Sequence, residues 1–480
     1  MQLNPRYPQL NAKFYREQMP APLKGAKAGH FNEDLADELQ WSAEERQNWV
    51  EICSGQRTIT PFQPLAMAYA GHQFGHWAGA LGDGRGLLIA QVLNKKQQTV
   101  DLHLKGAGQT PFSRMGDGRA VLRSVIREYL AGHALNALGI PSSNAVGFTS
   151  SLQGVQREKL EPGAMLLRSA DSHIRLGHFE WINQYAPELL SDFTQHCISW
   201  HYPECLKAES PILAFAKAVI EKTAILVANW QLVGFAHGVM NTDNLNITGS
   251  TLDFGPYGFL ERFRPNWINN HSDHQGRYTY EKQPSIAHWN LWVWLNQLVY
   301  LAPKETRDTF KAELSDTLSQ FEITFLEKYQ TGLACKMGLP TFHKESFDCS
   351  LNFLRILQQE KLDYTQSFIA LQEKRYTDLR DNCINTDVFD EFLEHYHQIR
   401  ENQDIEALQQ SMQEHNPHYI LRNHMAQDAI EAAERDDFSE VDRLFKLLAN
   451  PFTKQPTFEK PSDLVPPATD VPEISISCSS

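Results

Sequence analysis

The chain has 480 residues, 42% of them hydrophobic and 21% charged, an ordinary composition for a globular protein of two or three packed domains. Its 44 basic and 58 acidic residues leave a net charge of -14. That balance argues against nucleic acid as the main partner, because a phosphate backbone needs a positive surface. The seven cysteines include no Cys-x-x-Cys pair, which argues against a zinc ribbon or a dense disulfide framework.

The N-terminus lacks the basic-then-apolar order of a secretory signal. Two apolar stretches, at residues 212–235 and 286–301, contain charged or polar side chains, so we expect buried helices rather than membrane spans. These features predict a cytoplasmic monomer in a reducing compartment, without membrane or nucleic-acid partners.

The first third of the chain is predicted to be rich in strands. Residues 1–65 mix Pro, Asn and charged side chains and are predicted to form an N-terminal extension. Short apolar runs at residues 87–92 and 100–104 are bounded by turn formers and predict two strands of a hairpin. From Gly118 to Leu138 the apolar residues recur at the spacing of one helix face, which predicts a single long helix.

The rest of the chain is predicted to be mainly helical. Past Pro211 helical spacing dominates, and residues 310–329 carry one clear amphipathic face. Residues 451–480 are rich in Pro, Ser and Thr and are predicted to form a flexible tail. This order predicts an α+β fold with two lobes, like a protein kinase, in which an N-lobe at 66–165 precedes a C-lobe at 166–450.

A loop at residues 237–244, followed by Asp-Phe-Gly at Asp253, matches the metal-binding end of a kinase except at one position. Val239 stands where a kinase has its catalytic Asp. Asn244 and Asp253 keep the places of the two magnesium ligands, and Asp243 is the carboxylate nearby. A simple turn is the alternative for the Asn-Thr-Asp-Asn run, but the second acidic loop favours a metal site.

Several basic and glycine residues upstream suit phosphate binding. The glycine-rich turn at residues 82–86 allows close approach of backbone amides, although a plain tight turn is the alternative. Lys105 and Glu128 have the order of the kinase pair that orients phosphates, against the commoner outcome of two unrelated surface charges. Arg168 and Arg175 flank a short run that includes small residues; polyphosphate binding and structural salt bridges explain them equally well.

Asp117, just before the predicted long helix, suits an N-cap, and the same helix N-terminus suits an anion. With these motifs assembled, the chain resembles the selenoprotein O family, pseudokinases that act as protein adenylyltransferases. The resemblance runs from about residue 60 to Cys478. The motifs that carry it lie at residues 82–86, 101–108, 113–120, 237–244 and 270–278.

The resemblance implies that ATP binds in a flipped orientation relative to kinases and that AMP passes to a Ser, Thr or Tyr hydroxyl of a protein, with release of pyrophosphate. It implies Mg²⁺ as the metal, and UTP with Mn²⁺ as a further donor and metal for uridylylation. Redox-related proteins are among the acceptors considered. Asp243 is the implied proton acceptor, and Asn244 with Asp253 the implied metal ligands. The implied nucleotide contacts are Gly82, Gly84, Arg85, Lys105, Asp117, Gly118, Arg168, Arg175 and Asp253.

Two other functions stay open at this point: true phosphoryl transfer with Asp243 in place of the missing kinase Asp, and a catalytically silent nucleotide-binding scaffold. The family's tail selenocysteine or cysteine matches Cys478. Some bacterial members pair that thiol with a Cys just before the Asn-His-Ser-Asp stretch, where this chain has Asn269. The resemblance therefore implies a tail thiol without that partner.

Overall fold

The computed structural model describes residues 1–468 and 472–477, so Cys478 lies outside the described residues. Its strands concentrate in the part of the chain before Ala170. In chain order they are β1 (Gln2–Leu3), β2 (Tyr15–Glu17), β3 (Lys27–Phe31), β4 (Leu65–Met67), β5 (Ala70–Gln73), β6 (His76–Ala80), β7 (Gly86–Leu93), β8 (Thr99–Lys105), β9 (Ala120–Val121), β10 (Asn144–Gln156), β11 (Leu160–Ala170), β12 (Phe235–Ala236) and β13 (Gly258–Phe259).

Most of the helices follow Ala170. In chain order they are α1 (Glu33–Glu38), α2 (Ala43–Gln47), α3 (Trp49–Cys53), α4 (Leu122–Ala137), α5 (Leu176–Tyr185), α6 (Leu190–His201), α7 (Pro211–Val233), α8 (Gln283–Leu298), α9 (Arg307–Leu318), α10 (Gln320–Met337), α11 (Lys344–Gln359), α12 (Tyr364–Gln372), α13 (Tyr376–Asp381), α14 (Thr386–Arg400), α15 (Ile405–His415), α16 (Asn423–Ala433) and α17 (Ser439–Leu448).

One large antiparallel sheet organises the first part of the molecule. Its strand order is β2-β4-β7-β8-β11-β10-β3, with β1 added on β7 and β9 on β11. The register places Lys105 at the end of β8, opposite Gly86 of β7 and Leu166 of β11. The helix α4 packs against β10 and β11. The sheet therefore holds Lys105 between two neighbouring strands, beneath the helix that carries Glu128.

The predicted hairpin strands and the long helix are confirmed with small shifts, since β7 and β8 include both predicted runs. The helix α4 begins at Leu122 rather than at Gly118, because Ala120 and Val121 pair with β11 as β9. Asp117 is therefore not its N-cap, and the capping prediction is wrong. The predicted amphipathic helix at residues 310–329 is divided between α9 and α10 at Ser319.

The apolar stretches of the second part form buried helices, as predicted. The helices α7 and α8 contain Trp230 and Trp294, both fully buried in a core that continues into the sheet. Within the described ranges, no helix is both long enough and apolar enough to cross a membrane. Beyond residue 450 the chain still contacts the helices, since the buried carboxylate of Asp463 accepts a hydrogen bond from Arg443 Nη1 at 2.7 Å.

A mixed fold with a large antiparallel sheet is confirmed, whereas the comparison with kinase lobes and the boundaries at 65, 165 and 450 stay predictions. The predicted N-terminal extension supplies β1, β2 and β3 to the same sheet as β7 and β8.

Candidate active site

A cleft of about 710 Å³ lies between the sheet and the helical part. Its walls are the glycine-rich turn before β7, the ends of β8 and β11, and the loops around residues 237–244 and 253–256. Every candidate site residue from the sequence lies on this wall, although their separate roles remain predictions. These residues are Gly82, Gly84, Arg85, Lys105, Asp117, Gly118, Arg168, Arg175, Asp243, Asn244 and Asp253.

The cleft is more basic than the rest of the chain. Its lining contains seven Lys or Arg side chains and four Asp side chains, although the chain as a whole carries a net charge of -14. Within the residues described, no hydrogen bond or salt bridge joins the Arg85 side chain to a carboxylate, although Glu128 and Asp253 are near enough to act on its charge, so its guanidinium can donate to a ligand. A local excess of cations of this kind suits a polyphosphate.

Glu128 on α4 joins two of the cations. Lys105 Nζ donates to Glu128 Oε2 at 2.5 Å, and Arg168 Nε donates to the other carboxylate oxygen. All three side chains are buried. Burial lowers the pKa of Lys105 to about 8 although Glu128 opposes the shift. Burial alone would raise the pKa of Glu128, but the charges of Arg168 and Lys105 outweigh burial and lower that pKa to about 2. The predicted Lys–Glu pair is present.

We expect Glu128→Gln to lower the free energy of unfolding by about 3 kcal/mol, because it leaves two buried cations without their shared carboxylate. Urea denaturation followed by circular dichroism measures the change. The matched control is Glu188→Gln, whose partner Lys13 is exposed on the surface. Equal unfolding free energies for the two variants would contradict the assigned network.

Asp253 faces the same cations from the helical side. Its carboxylate accepts from Arg168 Nη1 at 2.8 Å and from Arg175 Nη2 at 2.5 Å. Burial would raise its pKa, but Arg175 and Arg168 outweigh burial and hold the pKa well below the ordinary value. Its φ of 55° lies in the left-handed region, which Asp tolerates better than most residues. Structural salt bridges were one of the two explanations for Arg168 and Arg175. These salt bridges are present, and they lie on the cleft wall.

Asp83 is a charged residue of the site that the sequence did not single out. Its carboxylate lies 3.3 Å from His103 Nε2 and 3.7 Å from Arg175 Nη1, and it accepts from Met67 N at 3.0 Å. Burial opposes its ionisation, but His103 and Arg175 lower its pKa to about 2. Asp83 lies inside the glycine-rich turn at residues 82–86. Nothing in the sequence of that turn indicates that its partners are His103 of β8 and Arg175 at the start of α5.

The glycine positions have no room for side chains. A Cβ on Gly82, whose φ is 120°, would lie 2.5 Å from Phe112 Cγ. A Cβ on Gly118, whose φ is 70°, would lie 2.1 Å from the carbonyl oxygen of Gly108. Both conformations favour glycine. Close packing against neighbouring protein groups therefore requires glycine at both positions.

Asp117 lies at the rim of the cleft. Its carboxylate accepts from Arg157 Nη1 at 2.7 Å and Nη2 at 3.0 Å, and from Arg119 N at 2.9 Å. The hydrogen bonds from Arg157 are the main reason that its pKa is lowered. In place of the predicted cap, Asp117 closes a turn and orients an arginine beside the cleft.

The loop at residues 237–244 places Asn244 on the wall of the cleft that also carries Asp253. His237 Nε2 donates to the Leu252 carbonyl at 3.0 Å and ties the loop to the segment before Asp253. Asn244 Nδ2 donates to the Val239 carbonyl at 2.9 Å, which leaves its side-chain oxygen for a ligand. Within residues 1–468 and 472–477, no cluster of three or more His, Cys, Asp or Glu could hold a metal by itself. Asn244 and Asp253 fit Mg²⁺, which completes its coordination with waters and nucleotide phosphates.

Asp243 is the unusual carboxyl group of the site. It is 6% exposed, and its Oδ2 accepts from Gln73 Nε2 at 3.0 Å. Its Oδ1 is buried and has no hydrogen-bond partner among the protein groups described. Burial raises the pKa of Asp243 to about 7 although the hydrogen bond from Gln73 opposes the shift. A carboxyl group of this kind can accept and release a proton near neutral pH.

A basic cleft, two hard oxygen donors and a buried carboxyl group with a raised pKa are the features expected of a nucleotide-dependent transferase. The family model described as protein adenylyltransferase SelO matches residues 1–449. The chain belongs to this family.

Curated relatives match over almost the full length. One is a protein nucleotidyltransferase YdiU of Pectobacterium carotovorum, 43% identical over 479 residues that cover 98% of this chain and 97% of the relative. Another, from Vibrio parahaemolyticus and with the same name, is 42% identical over 490 residues that cover 99% and 98%. A third, from Yersinia pseudotuberculosis, is 42% identical over 478 residues that cover 97% and 96%.

Proposed function

We propose that this protein transfers AMP from ATP to the hydroxyl group of a Ser, Thr or Tyr in an acceptor protein. The single structural observation that supports transfer to a hydroxyl is the placement of Asp243, and the choice of AMP over a phosphoryl group rests on the family. Its raised pKa, its position on the wall of the basic cleft, and the neighbouring Asn244 and Asp253 supply a base beside a phosphate-binding site. Membership of the adenylyltransferase family supports the same chemistry.

The reaction is a single displacement at the α-phosphorus of ATP. The acceptor hydroxyl oxygen bonds to that phosphorus while the bond to the oxygen that bridges toward the β-phosphorus breaks. The hydroxyl proton passes to the Asp243 carboxylate, and pyrophosphate leaves with the electron pair of the broken bond. The product is a phosphodiester that links AMP to the acceptor.

The cations of the cleft bind the triphosphate and stabilise the leaving group. Arg85 is available as a fork-shaped donor, and Lys105 lies at the end of β8 beside Glu128. Arg168 and Arg175 hold Asp253 in place from the other wall. Asn244 and Asp253 are the residues that would hold Mg²⁺, which when bound supplies Lewis-acid neutralisation of the phosphate oxygens.

The site is proposed to be that of a pseudokinase with two lobes, in which ATP lies in the flipped orientation. The Lys105–Glu128 pair and the order of Asn244 and Asp253 along the chain support the kinase comparison. Val239, 7% exposed and apolar, cannot act as the kinase base. Proton transfer therefore depends on Asp243, and the orientation of ATP rests on the family relationship.

Paired labelling tests the proposal. The protein is incubated with Mg²⁺, an acceptor protein mixture and ATP labelled at either the α- or the γ-phosphorus. We expect covalent label on protein from the α-position and none from the γ-position. Label from γ alone would indicate phosphoryl transfer, and ATP-induced thermal stabilisation without label from either position would indicate a silent scaffold.

The remaining parts of the proposal concern donors, partners and location. UTP with Mn²⁺ is a proposed second donor and metal, supported by the broader name nucleotidyltransferase that the relatives carry.

The proposed acceptors are proteins, and redox-related proteins are among them. The transferase itself is proposed to be a monomer. The six cysteines that the structure describes are free thiols, which supports a reducing compartment such as the cytoplasm.

A further inference from the structure

A two-stranded hairpin, β5 with β6, covers the loop that carries Asp243. Two backbone N–H groups of the hairpin donate hydrogen bonds to side chains of that loop. His72 N donates to Thr242 Oγ1 at 2.7 Å, and Phe74 N donates to Asn241 Oδ1 at 3.1 Å. These bonds lie on either side of Gln73. The hairpin is therefore fixed to the loop at the residues immediately before and after Gln73.

The contact between the hairpin and Asp243 leaves little free space. A Cβ on Gly71 would lie 2.7 Å from Asp243 Oδ1 and 3.0 Å from Thr242 Oγ1. Gly71 thus covers Oδ1, the carboxylate oxygen that is buried without a partner. Oδ2 is the oxygen that accepts from Gln73 Nε2 at 3.0 Å, and both side chains line the cleft.

The hairpin is also held by other elements, so Gln73 is presented from a fixed support. His72 Nδ1 lies 2.6 Å from Oε2 of Glu180, a buried residue of α5. The His72 ring contacts Trp77 of β6 and Trp289 of α8, with ring centroids 5.3 Å and 5.6 Å away. A side chain on such a support can orient a partner more reliably than one on a free loop.

We propose that Gln73 is a positioning residue for proton transfer: its side-chain amide holds the Asp243 carboxylate so that Oδ2 takes the proton from the acceptor hydroxyl. This inference rests on the proposed function and deepens it. Oδ1 is covered by Gly71, so Oδ2 is the oxygen that a hydroxyl in the cleft can reach. Gln73 does not touch the reacting phosphorus; it acts through Asp243.

The test compares Gln73→Met with the wild-type protein, because Met keeps the length of the side chain and removes the donor. Initial rates of labelling from α-labelled ATP are measured over a range of ATP concentrations with a fixed acceptor mixture and at one fixed pH. We expect kcat to fall about tenfold, because the Asp243 carboxylate is no longer held toward the acceptor hydroxyl. The KM for ATP should stay within about twofold of wild type.

The control is Gln410→Ala, which removes an exposed Gln that donates to Glu414 at 2.9 Å and does not line the cleft, and its kcat and KM should equal the wild-type values. An unchanged kcat in Gln73→Met, or a fall in kcat accompanied by an equal rise in the KM for ATP, would overturn the proposal.

A wild-type protein without label at any pH would instead contradict the proposed function. In that case the positioning of Asp243 is tested without activity, by comparing crystal structures of the wild type and of Gln73→Met. The Asp243 carboxylate should leave its wild-type orientation in the variant; an unchanged carboxylate position would overturn the proposal.

Discussion

Asp243→Asn is expected to lower kcat for adenylyl transfer by about 10²- to 10⁴-fold, the range over which positioned general bases contribute. The substitution keeps the shape of the side chain and removes its ability to accept a proton. Asp243 is not part of the cation network around Glu128, so ATP binding should change little. Steady-state kinetics with α-labelled ATP measure kcat and the KM for ATP separately.

The pH dependence gives a second readout of the same residue. The base must be ionised, and its pKa is raised to about 7, so kcat/KM should rise with pH through neutrality and level off above it. Two pH units below that pKa the rate should be about a hundredfold lower, because about one carboxyl group in a hundred is ionised. Asp243→Asn should remove this limb.

The control for both readouts is Asp192→Asn, an exposed substitution on α6 that should leave kcat and the pH profile unchanged. If Asp243→Asn kept the wild-type rate and its acid limb, Asp243 would not be the base. The pH dependence would then belong to another group of the cleft.

Asp253→Asn is expected to reduce labelling by about 10³-fold or more. Asp253 is the proposed metal ligand and also the carboxylate between Arg168 and Arg175. Its loss weakens metal binding and leaves both guanidinium groups with a neutral partner. Labelling is measured over a titration of Mg²⁺, with circular dichroism and thermal unfolding recorded alongside.

The two consequences of Asp253→Asn can be separated. A folded variant that needs more Mg²⁺ than the wild type for labelling supports the metal role. A loss of labelling that no Mg²⁺ concentration relieves, in a variant that keeps its secondary structure, assigns the effect to the unpaired Arg168 and Arg175 instead. Asp253→Asn that labels as well as the wild type at ordinary Mg²⁺ concentrations would remove Asp253 from the metal site.

The sequence predicted the parts of the fold and site that depend on local patterns. The runs that form β7 and β8 are apolar segments bounded by turn residues. The apolar residues of α4 recur at the spacing of one helix face. Lys105 and Glu128 could be paired because each has a recognisable place on its element, and the structure joins them. The candidate residues named from such motifs line one cleft in the structure. The distances between their side chains could not be predicted from the sequence.

Features that depend on distant contacts were not predicted. Gln73 and Asp243 are 170 positions apart, and the glycine-rich run around β5 carries no sign of its contact with the later loop. The same holds for Asp83 and His103, whose meeting depends on the register of the sheet. Asp117 has the residue type of an N-cap, but strand pairing of Ala120 with Ala164 overrides that local preference.

The central claim is that AMP, rather than a phosphoryl group, becomes attached to the acceptor. The most direct measurement is mass spectrometry of acceptor proteins after reaction with ATP and Mg²⁺, with fragmentation to locate the modified residue. We predict an increase equal to one adenylyl group on a Ser, Thr or Tyr, present with the wild type and strongly reduced with Asp243→Asn. An increase equal to a single phosphoryl group on those residues would contradict the account.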